Sequence, residues 1–520
     1  MTTIPSDPLF PNQWYLYNQG QSGGTPGIDL NVVDVWDDYT GRGVTVGIID
    51  DGFDYLHPDL NDNYDTSRDY DSIDQDSDPF GLNLPYSQGG DSHGTSVAGI
   101  IAAERNGIGS VGVAYNARIT GIRAIPGSIV TATDALWRAA SFDVVNNSWG
   151  FGTNFFLDDF YRFPQAGQAI QNAVTNGRNG LGTAIVFAAG NSRQEGDNTN
   201  YHNFQNSRQV ITVAALDDNG FVSSYSTPGA SILVSAFGSD SFGSIVTTDR
   251  QGSAGYSSTD YTGSFNGTSA AAPQVSGVVA LILEANRNLG YRDIQEILAY
   301  SARQNDFYNQ GGDYVWQING ANNLNGGGLH VSHDYGFGLV DAHAAVRLAE
   351  TWQKQSVFSN EQSLSYSSGN LGLTIPDNDD IGISSTLTVA AGLEIDWVEV
   401  DLNLTHPYRG DLVVDLISPS GIVSTLVNRP GNQEDDGDNI VFRLSSSQHW
   451  GESSAGEWTL RIRDLGPTDI GILNSWNLRL YGDTDTANDT YFYTNEYGFY
   501  GTTTLSDNTG TDTINAAAIT

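Results

Sequence analysis

Apolar runs of strand length that end in polar residues restrict the fold of this chain more than any other feature. Gly43–Ile49 and Gly182–Ala189 are two such runs, and stretches with helical spacing lie between runs of this kind. Strands that are apolar on both faces suit a parallel sheet covered by helices. The alternation of strand and helix from residue 30 to residue 350 therefore predicts an α/β domain built on a parallel sheet.

Polar residues follow several of these runs directly. Asp50 and Asp51 follow the first, Ser148–Gly150 follows another, and Asn191 closes a third. Sites in open α/β sheets lie beyond the carboxyl ends of the strands. We expect the two carboxylates to act in such a site, and the edge at Ser148–Gly150 to bind a peptide backbone. The Asn191 amide could donate to an oxyanion, or it could occupy an ordinary turn.

Ser269 lies where a loop meets a helix. It belongs to the small-residue stretch Phe265–Pro273, and an apolar helical pattern runs from Val275 to Leu289. The small neighbours leave room for another molecule to approach the hydroxyl, and the first N–H groups of a helix carry partial positive charge. Such a serine can be a nucleophile whose oxyanion product is stabilised by the helix start. The alternative is an N-cap serine.

His93 precedes a helical pattern made mostly of small residues, Gly94–Ala102. Small helix residues allow neighbouring elements to pack closely around it. With Asp50 and Ser269 it supplies the three groups of nucleophilic acyl transfer, namely a hydroxyl, a base and a carboxylate that orients the base. The chain order Asp, His, Ser is one of the known orders of this triad. The sequence therefore predicts a triad of these three residues.

The composition excludes several classes of protein. The 520 residues carry a net charge of −39, which argues against nucleic acid and anionic membranes as partners. The absence of cysteine excludes disulfides and thiol catalysis. No run of about 18 apolar residues is present, so we expect no membrane span. Many aspartates lie in clusters such as Asp69–Asp78, and clustered oxygen ligands favour a hard cation, for which calcium is the natural candidate.

After residue 350 the pattern changes to one of alternating polar and apolar residues. We expect a linker over residues 351–368 and an all-β sandwich over residues 369–482, with strands that include Ile395–Leu404 and Trp476–Tyr481. Residues 483–520 are rich in Thr, Asn and Asp and predict a polar tail. Residues 1–350 would then form the α/β domain.

Three motifs resemble the signatures of the subtilase family of serine proteases: Ile48–Gly52, Asp91–Gly99 and Gly267–Pro273. The double aspartate and Val111–Arg118 are similar to those of the kexin and furin branch, the proprotein convertases. The predicted sandwich resembles the jelly-roll P domain of that branch, through Tyr408–Leu412. The resemblance covers about residues 5 to 482.

This resemblance implies a subtilisin-like peptidase domain followed by a P domain. Ser269 would be the nucleophile, His93 the general acid and base, and Asp50 its orienting carboxylate. Asn191 and the Ser269 backbone N–H would bind the oxyanion. Asp51 would favour a basic residue at the second substrate subsite, and Asp158 or Asp159 would serve the fourth. The implied substrate-binding residues are Asp51, Ser148, Trp149, Gly150, Asp158 and Asp159.

The resemblance also implies two calcium sites. The first would use the side chains of Asp7, Asp59 and Asn106 together with backbone carbonyls near Ala103, Ile108 and Ser110. The second would use Asp71, Asp76 and Asp78.

The chain departs from the branch in the first substrate pocket. The branch has an acidic pair where this chain has Phe151–Asn154, and Thr227 stands where a glutamate is expected. Asp197 matches one ligand of a third calcium, but the aspartate expected just before Tyr201 is missing. We therefore do not predict strict arginine selectivity or a third calcium. No prodomain precedes Asp7, so we expect the folding helper of the branch to be absent or removed.

The stretch Thr486–Thr494 resembles the entry to the calcium β-roll of serralysin-type exported proteases, although the repeats of that region do not follow. The resemblance implies bacterial export, and the alternative is a flexible tail. The whole sequence predicts a calcium-dependent serine endopeptidase that is monomeric, secreted or at the cell surface, and favours basic residues near the cleavage site. The alternatives are an inactive homologue acting as a calcium-stabilised binding or adhesion module, and an intracellular calcium-sensing protease that is not exported.

Overall fold

A computed structural model describes residues 4–82, 84–150, 155–240, 244–306, 308, 311–390, 392–500 and 505–519. The segment Phe151–Asn154, which stands where the kexin and furin branch has an acidic pair, lies outside the described residues.

A parallel seven-stranded sheet, predicted from the apolar runs, forms the centre of the first domain. Its spatial order is β2-β3-β1-β4-β5-β6-β7, and every neighbouring pair is parallel. The strands are β1 (Thr45–Asp50), β2 (Tyr70–Asp71), β3 (Arg118–Arg123), β4 (Val144–Asn147), β5 (Ala184–Ala188), β6 (Ile211–Leu216) and β7 (Val234–Phe237).

Helices cover both faces of this sheet. Val46 and Ile48 of β1 pack in the apolar cluster that contains α1 and α5, whereas Ile49 packs in the cluster that contains α2 and α4. The sheet is therefore buried on both sides, which is why its strands are almost continuously apolar. The helices are α1 (His93–Ala102), α2 (Ile129–Leu136), α3 (Asp159–Arg162), α4 (Pro164–Asn176), α5 (Thr268–Ala285), α6 (Tyr291–Ser301) and α7 (Ala342–Thr351).

Helix α5 runs through the core of this domain. It is 18 residues long and apolar enough to cross a membrane by length and composition, but 83% of it is buried within the protein. Packing against the sheet explains its apolar sequence. Two short antiparallel pairs flank the domain: β8 (Ile245–Thr248) with β9 (Tyr261–Phe265), and β10 (Gln317–Ile318) with β11 (His330–Val331).

The second domain is the antiparallel sandwich that period-2 alternation predicts. One sheet has the order β12-β20-β15-β18, with β13 also paired to β20, and the other has the order β14-β19-β16-β17. The strands are β12 (Gln362–Ser367), β13 (Leu373–Ile375), β14 (Asp379–Val389), β15 (Leu393–Thr405), β16 (Leu412–Ile417), β17 (Val423–Asn428), β18 (Ile440–Ser446), β19 (Gly456–Asp464) and β20 (Gly471–Thr484).

Part of the segment predicted as a linker is a strand of the sandwich. Residues 362–367 form β12, which pairs with β20 from Gln362 opposite Gly482 to Ser367 opposite Asn477. Only Leu364 and Tyr366 of this strand pack on the sandwich core. Its remaining positions are polar because they face solvent, and the composition therefore favours a linker.

The tail after the sandwich is folded onto the first domain. Strand β21 (Thr490–Thr494) pairs in parallel with β22 (Thr513–Ala518), and a short helix, α8 (Tyr497–Tyr500), lies between them. Phe492 is 3% exposed and belongs to the main apolar core, where its ring stacks on Trp352 at 5.2 Å. The expectation of a flexible tail is wrong for the described residues, because this aromatic side chain anchors the segment.

The two domains share their cores. Trp397 and Trp450 of the sandwich pack in the core of the first domain, and Phe156 and Tyr201 of the first domain pack in the core of the sandwich. The buried guanidinium of Arg292 also pairs across the boundary with Asp483, near the C-terminal end of β20. Such an interface fixes the sandwich against the elements that carry the site residues.

Candidate active site

Asp50 and His93 meet at the carboxyl end of β1. His93 is the first residue of α1, and its Nδ1 lies 2.7 Å from Oδ1 of the buried Asp50 carboxylate. A methyl group on Gly94 would lie 2.5 Å from the carbonyl oxygen of Gly52, so glycine lets α1 begin this close to the strand end. Burial alone would lower the pKa of His93. The charge and hydrogen bond of Asp50, with the charge of Asp51, outweigh burial and raise it.

Ser269 is the second residue of α5. The N-cap is Gly267 at φ 90°, a conformation that suits glycine, so the N-cap residue itself has no side chain to accept from the helix. Ser269 is therefore not the N-cap serine of the alternative interpretation. Its hydroxyl donates to the carbonyl oxygen of Ser148 at 3.2 Å.

Helix packing brings the regions of Ser269 and His93 together. Helices α1 and α5 pack against each other, and the ring of Phe265, four residues before the serine, contacts the imidazole edge-on with centroids 5.2 Å apart. Within the described part of the chain, no hydrogen bond joins Ser269 to His93. The bond of the triad that the structure describes is thus the one between His93 and Asp50.

The orientation of the Asn191 side chain is set by Thr268. The amide oxygen of Asn191 accepts hydrogen bonds from the backbone N–H of Thr268 at 2.9 Å and from its hydroxyl at 3.0 Å. A backbone N–H can only donate, so the oxygen must face it and the amide nitrogen is left as the donor. Sequence reasoning missed Thr268, although it lies directly before the predicted nucleophile.

A cavity of about 240 Å³ lies beside Ser269 and Asn191. Asp197 and His202 also line it, and Oδ1 of Asp197 lies 2.7 Å from Nε2 of His202. Asp197 is the acidic side chain of the cavity lining in the described residues. The predicted peptide-binding edge borders the same cavity through Ser148, Trp149 and Gly150.

Asp51 caps helix α1. Its Oδ2 accepts from the backbone N–H groups of Ser92 and His93 at 3.1 and 3.0 Å, and its Oδ1 accepts from Gly94 at 2.8 Å. Burial and the neighbouring charge of Asp50 raise the pKa of Asp51 to about 7. The carboxylate thus orients the start of the helix that bears the imidazole, and its predicted contact with substrate stays a prediction.

Asp158 and Asp159 lie away from the cavity at Ser269. Asp158 caps the short helix α3 by accepting from the backbone N–H of Tyr161 at 2.9 Å. It lines a different cavity of about 700 Å³ between the two domains. Burial raises the pKa of Asp159. The structure does not bring either carboxylate to the described cavity beside the serine.

The residues of the first predicted calcium site converge in a way that fits a cation. Asp7 and Asp59 are fully buried, and Oδ2 of Asp7 and Oδ1 of Asp59 have no hydrogen-bond partner. Burial, followed by the charges of Asp7 and Glu104, raises the pKa of Asp59 to about 7. Two buried carboxylates with orphaned oxygens suit a hard divalent cation.

Two of the other predicted members of this site, Asn106 and Ser110, hydrogen-bond to the carboxylates directly. Asn106 donates its N–H to Asp7 at 3.0 Å and accepts from the N–H of Ile108 at 2.9 Å. Ser110 donates both its N–H and its hydroxyl to Asp59. The carbonyl of Ala103 accepts from the N–H of Gly112 at 2.9 Å, and one of its lone pairs remains.

The second predicted calcium site is not assembled. Asp71 pairs with the guanidinium of Arg123 at 2.7 Å, and that side chain is 8% exposed. The carboxylates of Asp71, Asp76 and Asp78 do not form a group close enough to share a cation. In the described residues, the triple that does so is Asp489, Asp507 and Asp512 in the tail. Arg123 comes 52 residues after Asp71, so local spacing could not reveal that it neutralises this carboxylate.

Comparison with known proteins assigns a family to each of the two domains. The subtilase family model matches residues 41–338, and the proprotein convertase P-domain model matches residues 395–480. The chain is 34% identical over 501 residues to a PC3-like endoprotease variant B of Hydra vulgaris, covering 91% of this chain and 65% of that protein. It is also 34% identical to neuroendocrine convertase 2 of Mus musculus, covering 92% of this chain and 74% of the relative.

A solved structure has the same two-domain architecture. The serine protease of Aeromonas sobria, crystallised in complex with a chaperone, superposes with a TM-score of 0.81 at 27% identity, covering 93% of this chain and 96% of that one. The family matches, the relatives and this superposition agree on one assignment. The chain belongs to the subtilase family and carries a proprotein convertase P domain after its peptidase domain.

Proposed function

We propose that this protein is a serine endopeptidase that hydrolyses peptide bonds through Asp50, His93 and Ser269. The observation that carries the proposal is the 2.7 Å contact between Asp50, at the end of β1, and Nδ1 of His93, at the start of a helix that packs against α5. A buried carboxylate at this distance fixes the imidazole tautomer and leaves Nε2 to take a proton. The family assignment supports the same reaction.

In the proposed reaction, rotation of the Ser269 side chain carries its hydroxyl from the Ser148 carbonyl to His93. The oxygen attacks the carbonyl carbon of the scissile bond while Nε2 takes the hydroxyl proton. The oxyanion accepts hydrogen bonds from the Asn191 amide and the Ser269 backbone N–H. Collapse breaks the C–N bond, and His93 gives its proton to the departing amine.

Water then hydrolyses the acyl-enzyme by the same steps. His93 takes a proton from the water as its oxygen attacks the ester carbon. When the second intermediate collapses, the proton returns to the oxygen of Ser269 and the acid product leaves. Asp50 keeps the Nδ1 proton in place throughout and stabilises the imidazolium that forms twice.

The direct test compares peptide hydrolysis by the wild type and Ser269→Ala, with Ser258→Ala as the control because that serine is exposed. The proposal expects hydrolysis by the wild type and the control, and a loss of more than about a thousandfold with Ser269→Ala. Equal hydrolysis by all three variants would exclude this serine. The alternative of an inactive binding homologue predicts hydrolysis by none, and the resting bond of Ser269 to Ser148 is the observation in its favour.

We infer that the first substrate pocket accepts a basic side chain. Asp197 lines the cavity beside Ser269, and its carboxylate is within reach of a cationic group that enters there. Replacement Asp197→Asn should lower the ratio of kcat/KM for arginine over glutamine at the first subsite by about tenfold. Asp158→Asn is the control, since Asp158 lines the other cavity. An unchanged ratio with Asp197→Asn would exclude the inference.

We further propose that calcium occupies the site of Asp7, Asp59 and Asn106. It would neutralise the buried carboxylates and hold the N-terminal segment around Asp7 against the loop at residues 106–110. It takes no part in the acyl transfer. The acidic charge and the calcium requirement suit an exported, monomeric enzyme that acts on polypeptides outside the cytoplasm. Assay of cells and medium with an antibody to the protein separates this from an intracellular protease.

A further inference from the structure

The segment from Asn191 to Asp197 carries two parts of the site. Asn191 supplies the proposed oxyanion donor, and Asp197 supplies the carboxylate of the adjacent cavity. Between them, Arg193–Glu195 forms a single 3-10 turn in which no residue is fully buried. We call residues 190–197, which include this segment, the oxyanion loop. The position of this loop therefore affects both transition-state binding and the first pocket.

Arg193 ties the oxyanion loop to two carboxylates, the exposed one of Asp313 and the buried one of Asp334. Its Nε donates to the carbonyl of Ser226 at 2.9 Å, and its two terminal nitrogens pair with Asp313 and Asp334. The Arg193 side chain is 13% exposed and that of Asp334 is 0% exposed. Oδ2 of Asp334 also accepts from the N–H of Tyr314 at 2.8 Å. A forked guanidinium held at three points restricts the loop strongly.

The turn at residues 225–227 accepts hydrogen bonds from the oxyanion loop, and it also contacts the start of α5, the helix that carries Ser269. The backbone N–H of Arg193 donates to the carbonyl of Tyr225 at 3.1 Å, and the hydroxyl of Tyr225 accepts from the N–H of Gly267 at 3.0 Å. The N–H of Ser192 donates to the hydroxyl of Thr227 at 3.0 Å. Residues 225–227 thus set the distance between the oxyanion loop and the first turn of α5.

A loop of the sandwich reaches the same segment. Asn432 donates its side-chain N–H to the carbonyl of Gln194 at 2.7 Å, and the N–H of Gly431 donates to the carbonyl of Gly196 at 3.1 Å. A methyl group on Gly196 would lie 2.0 Å from the backbone nitrogen of Asn432. The close fit makes the sandwich a direct neighbour of the oxyanion loop.

We propose that Arg193 and Asn432 are positioning residues for peptide hydrolysis, which hold the oxyanion loop so that Asn191 meets the transition state. The P domain then supports turnover through a specific contact and not only through overall stability. This inference rests on the proposed function. Neither residue touches the cavity beside Ser269 in the described structure, so each acts through Asn191.

The test is a double-mutant cycle of Arg193→Met with Asn191→Ala, measured as kcat well below the melting temperature. We expect each single variant to lower kcat, and Arg193→Met to lower it by about tenfold. The kcat of the double variant should be nearly the same as that of Asn191→Ala alone. Arg208→Met is the matched control: Arg208 is 14% exposed and pairs with Glu361, and none of its described hydrogen bonds or ion pairs involves residues 190–197. It should lower the melting temperature without changing kcat.

The sandwich side is tested by Asn432→Gly against Gln433→Gly. Both residues have positive φ, 52° and 81°, so glycine causes no backbone strain, but only the first substitution removes the bond to Gln194. We expect a several-fold loss of kcat with Asn432→Gly and no change with Gln433→Gly. Multiplicative losses in the cycle, or an equal effect of the two glycine variants, would overturn the inference.

Hydrogen exchange supplies a readout that does not depend on activity. Amides of residues 190–197 should exchange faster in Arg193→Met and Asn432→Gly than in the wild type, and Arg208→Met should leave them unchanged. Unchanged exchange in the first two variants would overturn the inference even if the protein hydrolysed no peptide. An inactive wild type with faster exchange in these variants would reject the proposed function, and it would confirm only that Arg193 and Asn432 hold the oxyanion loop.

Discussion

Asn191 and Thr268 are joined by two hydrogen bonds that leave the amide nitrogen of Asn191 free to donate beside Ser269. The hydroxyl of Thr268 also accepts from the N–H of Gly190 at 3.2 Å. Donors that are oriented before the substrate arrives are the most effective stabilisers of a developing oxyanion. The residue before the nucleophile thus prepares the site for the charge that forms next to it.

Thr268→Val removes the hydroxyl and keeps the shape of the side chain. One of the two bonds that orient Asn191 is lost, so we expect kcat to fall about tenfold, less than the ~10²–10³ expected when the donor itself is removed. Thr268→Ser keeps the hydroxyl and should stay close to the wild type. The measurement is kcat on one peptide substrate. Equal kcat for the valine and serine variants would contradict this role.

Asp50→Asn changes the pH dependence of hydrolysis as well as its rate. His93 must be neutral to take the serine proton, so kcat/KM rises as pH passes the pKa of His93. Asp50 raises that pKa, and its removal should move the rising limb to lower pH. The amide also fails to hold the imidazole in the required tautomer, so we expect a loss in kcat of about 10⁴. A rising limb that stays in place or moves to higher pH would contradict the assignment.

Asp59→Asn should change stability in opposite directions with and without calcium. In chelator, the raised pKa of about 7 means that folded Asp59 binds a proton that unfolded Asp59 has lost. Stability of the calcium-free protein should therefore fall as pH rises from about 4 to about 7, because the folded state binds more protons over this range. Asparagine does not titrate, so the stability of the variant does not fall in this way as pH rises. The variant should therefore melt at a higher temperature than the wild type in chelator at neutral pH.

With calcium present the order should reverse, since the ion stabilises the wild type by mass action and the variant lacks one ligand. The measurement is the melting temperature in calcium and in chelator. Asp377→Asn, at an exposed position in the sandwich, is the control and should respond to calcium like the wild type. A wild-type melting temperature that is the same in both conditions would contradict the calcium site.

Phe492→Ala tests the docking of the tail. Phe492 is buried against Trp352 and Tyr300, with ring centroids 5.2 and 4.7 Å away. Its removal should lower the free energy of unfolding by about 3 kcal/mol, the range for a buried phenylalanine. Phe499 in the same tail is 76% exposed, and Phe499→Ala should have no effect. Equal unfolding curves in urea for the two variants would show that the tail contributes nothing to stability.

The central sheet and the positions of the site residues can be predicted from the sequence, because both depend on local patterns. Strands buried on both faces must be apolar throughout, and site residues must follow them at the carboxyl ends. Asp50 and His93 meet as the motifs predict. The contact between His93 and Ser269 stays a prediction, since the described hydroxyl bonds to Ser148.

What the sequence could not reveal depends on contacts between distant residues. Arg123 neutralises Asp71 across 52 positions, so an aspartate that the motif assigns to calcium is already paired. Asn432 reaches the oxyanion loop from another domain, at a distance of 238 positions. Phe492 lies in a polar stretch whose composition favours a loose tail, and its two aromatic contacts anchor the segment instead. No local pattern encodes such partners.

Labelling of Ser269 by a fluorophosphonate tests the central claim most directly, because this reagent reacts with a serine only when a neighbouring base has activated it. In calcium-loaded protein we expect one adduct, on the peptide that contains Ser269, and its loss in both Ser269→Ala and His93→Ala. Folded wild-type protein that forms no adduct, or that labels Ser269 equally fast without His93, would contradict the account.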